Sequence, residues 1–102
     1  EQPNICLNSW SISVLSGNTA ICVEGKRKDM RQQLWHSSAI MERLTRSQVK
    51  TSTGTVYQLQ GKINSAAMRS EGVPYRFIKR FNFGFPRRWR EYVEEFLGDR
   101  RR

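Results

Sequence analysis

The residues able to do covalent or metal chemistry are few in this chain, and none is spaced for it. His36 is the single histidine. Asp29, Asp99 and many serines accompany it, but nothing along the chain joins a nucleophile, a base and an orienting acid. Beside Trp35, His36 reads as a packed, hydrogen-bonding side chain. A zinc site would have to draw on His36, Cys6 and Cys22 without CxxC or HxxxH spacing. No GxGxxG or GxxxxGKS loop is present to cradle a phosphate. The residues assign no catalytic group, no metal ligand and no cofactor, and they argue against an enzyme. Cys6 and Cys22 read as buried, reduced thiols, which suits a nuclear or cytoplasmic setting.

What the chain does carry is positive charge. Eighteen Lys and Arg against nine Asp and Glu give a net +9, which calls for acidic partners: nucleic acid or an acidic protein surface. The charge gathers at Lys26, Arg27 and Lys28, at Arg76 and Arg80, and at Arg87, Arg88 and Arg90. The last two groups interleave with Tyr75, Phe77, Phe81, Phe83 and Trp89, the mixture that single-strand platforms use. If those rings face a core, only the charges are left, and charge alone gives weak, salt-sensitive, sequence-blind nucleic-acid binding. Arg87, Arg88 and Arg90 crowd the start of a predicted helix and Glu91, Glu94 and Glu95 its second half. That order opposes the helix macrodipole by about 0.3–1 kcal/mol per charge. Arg87 with Glu91 and Arg90 with Glu94 would make i, i+4 pairs on a solvated face; the sharper reading is that these arginines meet an acidic partner.

The elements that must hold these groups read as follows. The length suits one domain, and no apolar run approaches the roughly 20 residues of a membrane span. The first residue is Glu rather than Met, as expected of a piece of a longer chain. Residues 1–8 form a lead-in, 9–98 the domain and 99–102 a basic tail. Trp10, Ile12 and Val14 alternate with serines as a half-buried strand. Gly17 and Asn18 turn the chain into a second strand at 20–24. Asp29 caps one helical turn. Strands follow at 39–44, covered on both faces at Ile40 and Met41, at 49–51 and at 55–64, where Tyr57, Leu59, Gly61 and Ile63 share a face. Residues 64–74 form an aperiodic surface connection. Tyr75, Phe77, Phe81, Phe83 and Phe85 then alternate as a final strand with its rings turned inward. Pro86 opens a helix whose Trp89, Tyr92, Val93, Phe96 and Leu97 make a core stripe, with Gly98 as its cap. The expected fold is mainly β in the α+β class: an antiparallel meander of about six strands, forming a strongly curved sheet or a small barrel or sandwich, with one C-terminal amphipathic helix.

Trp10, Ala20-Ile-Cys-Val-Glu-Gly25, Leu34-Trp-His-Ser-Ser38, Ile40-Met-Glu-Arg43, Thr53-Gly-Thr-Val-Tyr-Gln-Leu-Gln-Gly61 and Phe83-Gly-Phe-Pro-Arg-Arg-Trp89 together resemble the SANTA (SANT-associated) domain of the kinetochore-null, or Mis18-binding, proteins. The similarity spans about residues 5–97. It implies a non-catalytic module of a nuclear scaffold protein at the centromere, acting in protein recognition and in deposition of the centromeric histone variant. CENP-C, the Mis18 complex and the centromeric nucleosome are the implied partners, with no membrane or small-molecule substrate. Neither a SANT domain nor a CENP-C-like motif lies in this segment. Of the signature residues, Trp10, Trp35, Tyr57, Phe83, Phe85, Pro86 and Trp89 are expected to build the fold, and Gly25, Gly61 and Gly84 to mark bends or close backbone approach. The rival expectation is direct DNA or RNA binding through the basic surface. No Ser or Thr precedes Pro3, Pro74 or Pro86, so proline-directed phosphorylation would have to act outside this segment.

Overall fold

Short strands separated by tight turns build two three-stranded antiparallel meanders. A computed structural model describing residues 4–101 places β1 at Ile5–Val14, β2 at Ile21–Arg27 and β3 at Gln33–His36 in the first, with β4 at Ile40–Thr45, β5 at Gln48–Thr51 and β6 at Val56–Gln60 in the second. The meanders join side by side through β1 and β6, giving one six-stranded sheet in the order β3-β2-β1-β6-β5-β4. That seam is parallel, with Ile5 opposite Tyr57 and Asn8 opposite Gln60. The sheet is therefore mixed rather than antiparallel throughout. Residues 5–8, expected to be a lead-in, are the seam's own half of β1, and Leu7 among them is fully buried.

Sheet curvature follows from one short connection. β3 and β4 are the two outer strands, yet only residues 37–39 join them. Extended chain from His36 to Ile40 reaches roughly 13–14 Å, whereas the outer strands of a flat six-stranded sheet stand about 24 Å apart. Only a curled sheet satisfies both, and β2 indeed touches β4 although three strands separate them in the order. The curl stops short of a closed barrel, since β3 and β4 share no ladder. The connection is tied at both ends. Ser37 N–H donates to Val23 O (2.8 Å) and Ser52 N–H to Ala39 O (2.9 Å), while the buried Ser37 hydroxyl accepts from Val23 N–H (3.0 Å) and donates to Ser38 O (2.6 Å).

A bulge in β1 explains the first signature glycine. Pairing jumps from Asn8–Lys26 to Ser11–Glu24, so Ser9 and Trp10 together oppose Gly25, with Ser9 at φ 51°. The extra residue turns Leu7 and Trp10, three apart, to the same side. Both are fully buried, and the indole N–H of Trp10 donates to Gly61 O at 2.9 Å. A Cβ on Gly25 would lie 2.9 Å from Asn8 O and 3.2 Å from Trp10 Cα. The expected two-residue turn after β1 is instead a short 3-10 turn, Ser16–Asn18, closed by Leu15 N–H to Ala20 O (3.0 Å).

Three helices cover the sheet where one was expected: α1 (Ser65–Ser70), α2 (Tyr75–Arg80) and α3 (Trp89–Arg101). Residues 65–70 are helical because Asn64 caps them, its side chain accepting from Ala67 N–H at 3.2 Å. The segment read as a final strand is α2 followed by turns. Phe77, Ile78 and Phe81 at i, i+1 and i+4 are all buried, a helical spacing that an alternating reading of the same residues hides. Tyr75 and Phe83, assigned inward by alternation, are 64% and 60% exposed. Six strands are still present because β3, unanticipated, takes the place of the lost one. β4 is an edge strand, so Met41 is exposed rather than covered. Asp29 caps nothing; its carboxylate holds Arg27 at 2.7 Å. Gly98 lies inside α3, which runs to Arg101 through the expected basic tail.

The rings of α2, α3 and the turn between them form one aromatic column. Phe96 stacks on Phe77 at 4.4 Å, Phe77 meets Phe81 at 4.7 Å, and Phe81 meets Phe85 edge-on at 5.1 Å. Phe85 bridges to Trp89 at 5.6 Å and to Trp10 of β1 at 6.2 Å. Buried aromatic area of this kind dominates the stability of a small core.

Candidate functional site

Chemistry is remote from the observed side chains. His36 is exposed rather than packed against Trp35, whose indole N–H instead donates to Tyr57 OH at 2.9 Å. Both cysteines are free; Cys6 is half-buried and Cys22 buried. Burial, helped by the negative charge of Glu24, pushes the Cys22 thiol up to about 11, so it is no nucleophile at neutral pH. Among the described residues no three His, Cys, Asp or Glu side chains gather as metal ligands would.

The predicted basic residues fall in two places. Lys26, Arg27 and Lys28 sit at the β2–β3 turn, where Arg27 pairs with Asp29 and stacks 4.6 Å above Trp35. Lys26 and Lys28 are exposed and make no ion pair with any described residue. The others lie on α2 and around the start of α3, and most are already occupied. Arg80 and Arg76 both reach Glu95, at 3.1 and 3.7 Å. Arg88 holds Glu91 at 2.7 Å, an i, i+3 pair in place of the expected i, i+4 ones, and keeps the Glu91 carboxyl below the usual carboxylate range. Arg90 covers the Trp89 ring at 4.8 Å and donates to Met41 O on β4. Arg101 pairs with Glu94 at 3.5 Å. The charge order expected to oppose the macrodipole is not the one observed: α3 begins at Trp89, after Arg87 and Arg88, with Glu91 in its first turn and Arg100 and Arg101 in its last. In this group Arg87, and Lys79 of α2, are exposed and unpaired among described residues.

Beside Arg87 stands a group that alternation had assigned to the core. Phe83 projects outward from a turn held on both sides. Its neighbour Asn82 accepts at O from Ile63 N–H (3.0 Å), and Phe85 N–H donates to Arg46 O (2.7 Å). Arg43 Nε donates to Phe85 O at 2.8 Å. Gly84 sits at φ 125° with the Arg46 carbonyl where a Cβ would go, so only glycine brings the chain this close to the β4–β5 turn. Lys62 Nζ lies 5.5 Å from the Phe83 ring. Lys62, Arg46 and Arg87 are all exposed and form no ion pair with any described residue. The outcome is an exposed ring on a tethered turn, with the Lys62 ammonium over it and Arg46 against the adjoining Gly84. Sequence reasoning named Phe83, Gly84 and Arg87 but missed Lys62 and Arg46, which reach the site only through the fold.

The family model of SANTA (SANT Associated) matches residues 5–92. The chain belongs to the SANTA family. SANTA domains are non-catalytic modules associated with SANT proteins of chromatin, which makes this one a chromatin-associated interaction module of the nucleus. No solved structure matches the chain. Within this SANTA domain the signature residues divide sharply. Trp10, Tyr57, Phe85 and Trp89 are buried and build the column or the seam, while Trp35 is half-buried against Tyr57. Pro86 precedes α3, its carbonyl accepting from Trp89 N–H at 3.1 Å. Gly25 and Gly84 admit close backbone, and Gly61 supplies the carbonyl that Trp10 holds. Phe83 alone among the signature aromatics is mostly exposed.

Proposed function

We propose that this SANTA domain is a protein-recognition module of a nuclear scaffold, contributing to centromere targeting and to deposition of the centromeric histone variant. Phe83 and the cations around it form its contact surface. The observation that carries this reading is the exposed Phe83 ring, held by hydrogen bonds on both sides of its turn, with Lys62 over it, Arg46 against the adjoining Gly84 and Arg87 four residues on. A preorganised aromatic anchor in a charged rim suits a protein surface with an acidic face. CENP-C, the Mis18 complex and the centromeric nucleosome are the candidates that the family resemblance supplies. Nucleic acid alone fits less well. Single-strand platforms stack successive bases on several rings, and here the other exposed ring, Tyr75, sits on α2 rather than in the Phe83 turn.

Titration against CENP-C fragments, centromeric nucleosomes and duplex DNA at two salt concentrations tests the proposal. Saturable, salt-tolerant protein binding is expected, with Phe83→Ala losing about 2 kcal/mol, roughly 30-fold, and Arg87→Glu weakening it further at unchanged melting temperature. DNA binding that survives added salt, with protein binding indifferent to Phe83, would overturn it.

A further inference from the structure

The two sheet edges are treated differently. On the β4 edge Met41 O takes the Arg90 guanidinium, and in the turn after β4 Arg46 O takes Phe85 N–H. β3 is the other edge, and nothing among the described residues pairs with it on the side away from β2. Ser37 N–H bonds Val23 O, so antiparallel alternation makes Trp35–Gly25 the next bonded pair and leaves the N–H and C=O groups of Leu34 and His36 facing outward. Leu34 is 75% exposed. Next to it lies a cavity of about 290 Å³ lined by Leu34, Trp35, His36, Ser9, Ser11 and Glu24. Around the adjoining turn, Lys26, Lys28 and Arg31 are exposed and unpaired among described residues.

We propose that β3 takes an acidic, extended peptide of a partner protein as a seventh strand. Outward amides of Leu34 and His36 supply the ladder, Leu34 and the cavity accept an apolar side chain, and Lys26, Lys28 and Arg31 select carboxylates. Glu24 faces the cavity at the His36 end, so the peptide's acidic residues lie at the Gln33 end, over the turn. A second copy of this chain is a poor occupant, because its own β3, Gln33–His36, carries no Asp or Glu to meet these cations. The inference does not depend on the Phe83 surface, which adjoins the opposite edge strand.

Selection from a displayed library of random peptides roughly two strand lengths long, about 12 residues, with the 102-residue chain as bait, tests it. Selected peptides should alternate apolar residues and cluster Asp or Glu at one end. Bound, they should slow amide exchange at Leu34 and His36 at least about tenfold, and Leu34→Asp with Lys28→Glu should weaken them by about tenfold or more. Melting temperature should hold, since both side chains are exposed, and Phe83→Ala should leave this binding unchanged. Selected peptides without acidic residues, peptides protecting neither amide, or binding indifferent to the double substitution would overturn the proposal. So would protection that appears without peptide as the domain dimerises.

Discussion

At Gly84 the backbone lies at φ 125°, and a methyl group there would drive into the Arg46 carbonyl. Gly84→Ala is expected to cost about 3 kcal/mol or more, the sum of backbone strain and overpacking. Gly25→Ala, at φ suited to any residue but pressed on the β1 bulge, should cost about 2 kcal/mol. Thermal melts of the two variants check the order. Cys22 supplies a pH test. Its thiol titrates near 11 in the fold against an ordinary value near 9. The folded form therefore keeps its proton longer than the unfolded one. That contribution to stability is complete below pH 9 and lost as pH climbs through about 11. The melting temperature of the native chain should fall faster over that window than that of Cys22→Ala, and Cys22 should resist iodoacetamide until the protein unfolds.

The α3 stripe was legible because Trp89, Tyr92, Val93, Phe96 and Leu97 repeat at one period only; four are buried as expected and Tyr92 packs half-buried against them. The preceding segment was not, because Tyr75, Phe77, Phe81, Phe83 and Phe85 fit an alternation while Phe77, Ile78 and Phe81 fit a helix. Ile78 was the discriminating residue: an inward-facing strand would have pointed it to solvent, and it is fully buried. The misreading also hid the candidate site, since Phe83 counted as core only while it belonged to a strand. Once α2 is a helix, Arg76 and Arg80 lie one turn apart and share Glu95. As exposed pairs these add little, about 0.2–1 kcal/mol each, and a double-mutant cycle on Arg80 and Glu95 should return a value in that range. The arginines at the start of α3 separate the same way. Arg87→Glu should leave the melting temperature unchanged, whereas Arg90→Glu should lower it by forfeiting the Trp89 stack and the Met41 carbonyl. Equal effects of the two substitutions would contradict the contacts described.

For the molecule as a whole, composition announced a cationic partner surface, and the fold decides which cations remain available. Arg27, Arg76, Arg80, Arg88 and Arg101 meet carboxylates of this chain, while Lys26, Lys28, Arg31, Arg46, Lys62, Arg69, Lys79 and Arg87 are exposed with no ion pair among the described residues. Pairings between distant parts of the chain left no local signal, which is why the parallel seam went unread while the β1–β2, β4–β5 and β5–β6 hairpins did not. That seam also sets an order of assembly. The first meander and the second are each built from neighbouring segments and close over short loops, but Ile5 must wait for Tyr57. A chain emerging from the ribosome thus spends its first half with Leu7 on a raw strand border. Substitutions in residues 5–8 would reduce yield in that interval as well as through the final free energy, to which the buried Leu7 contributes.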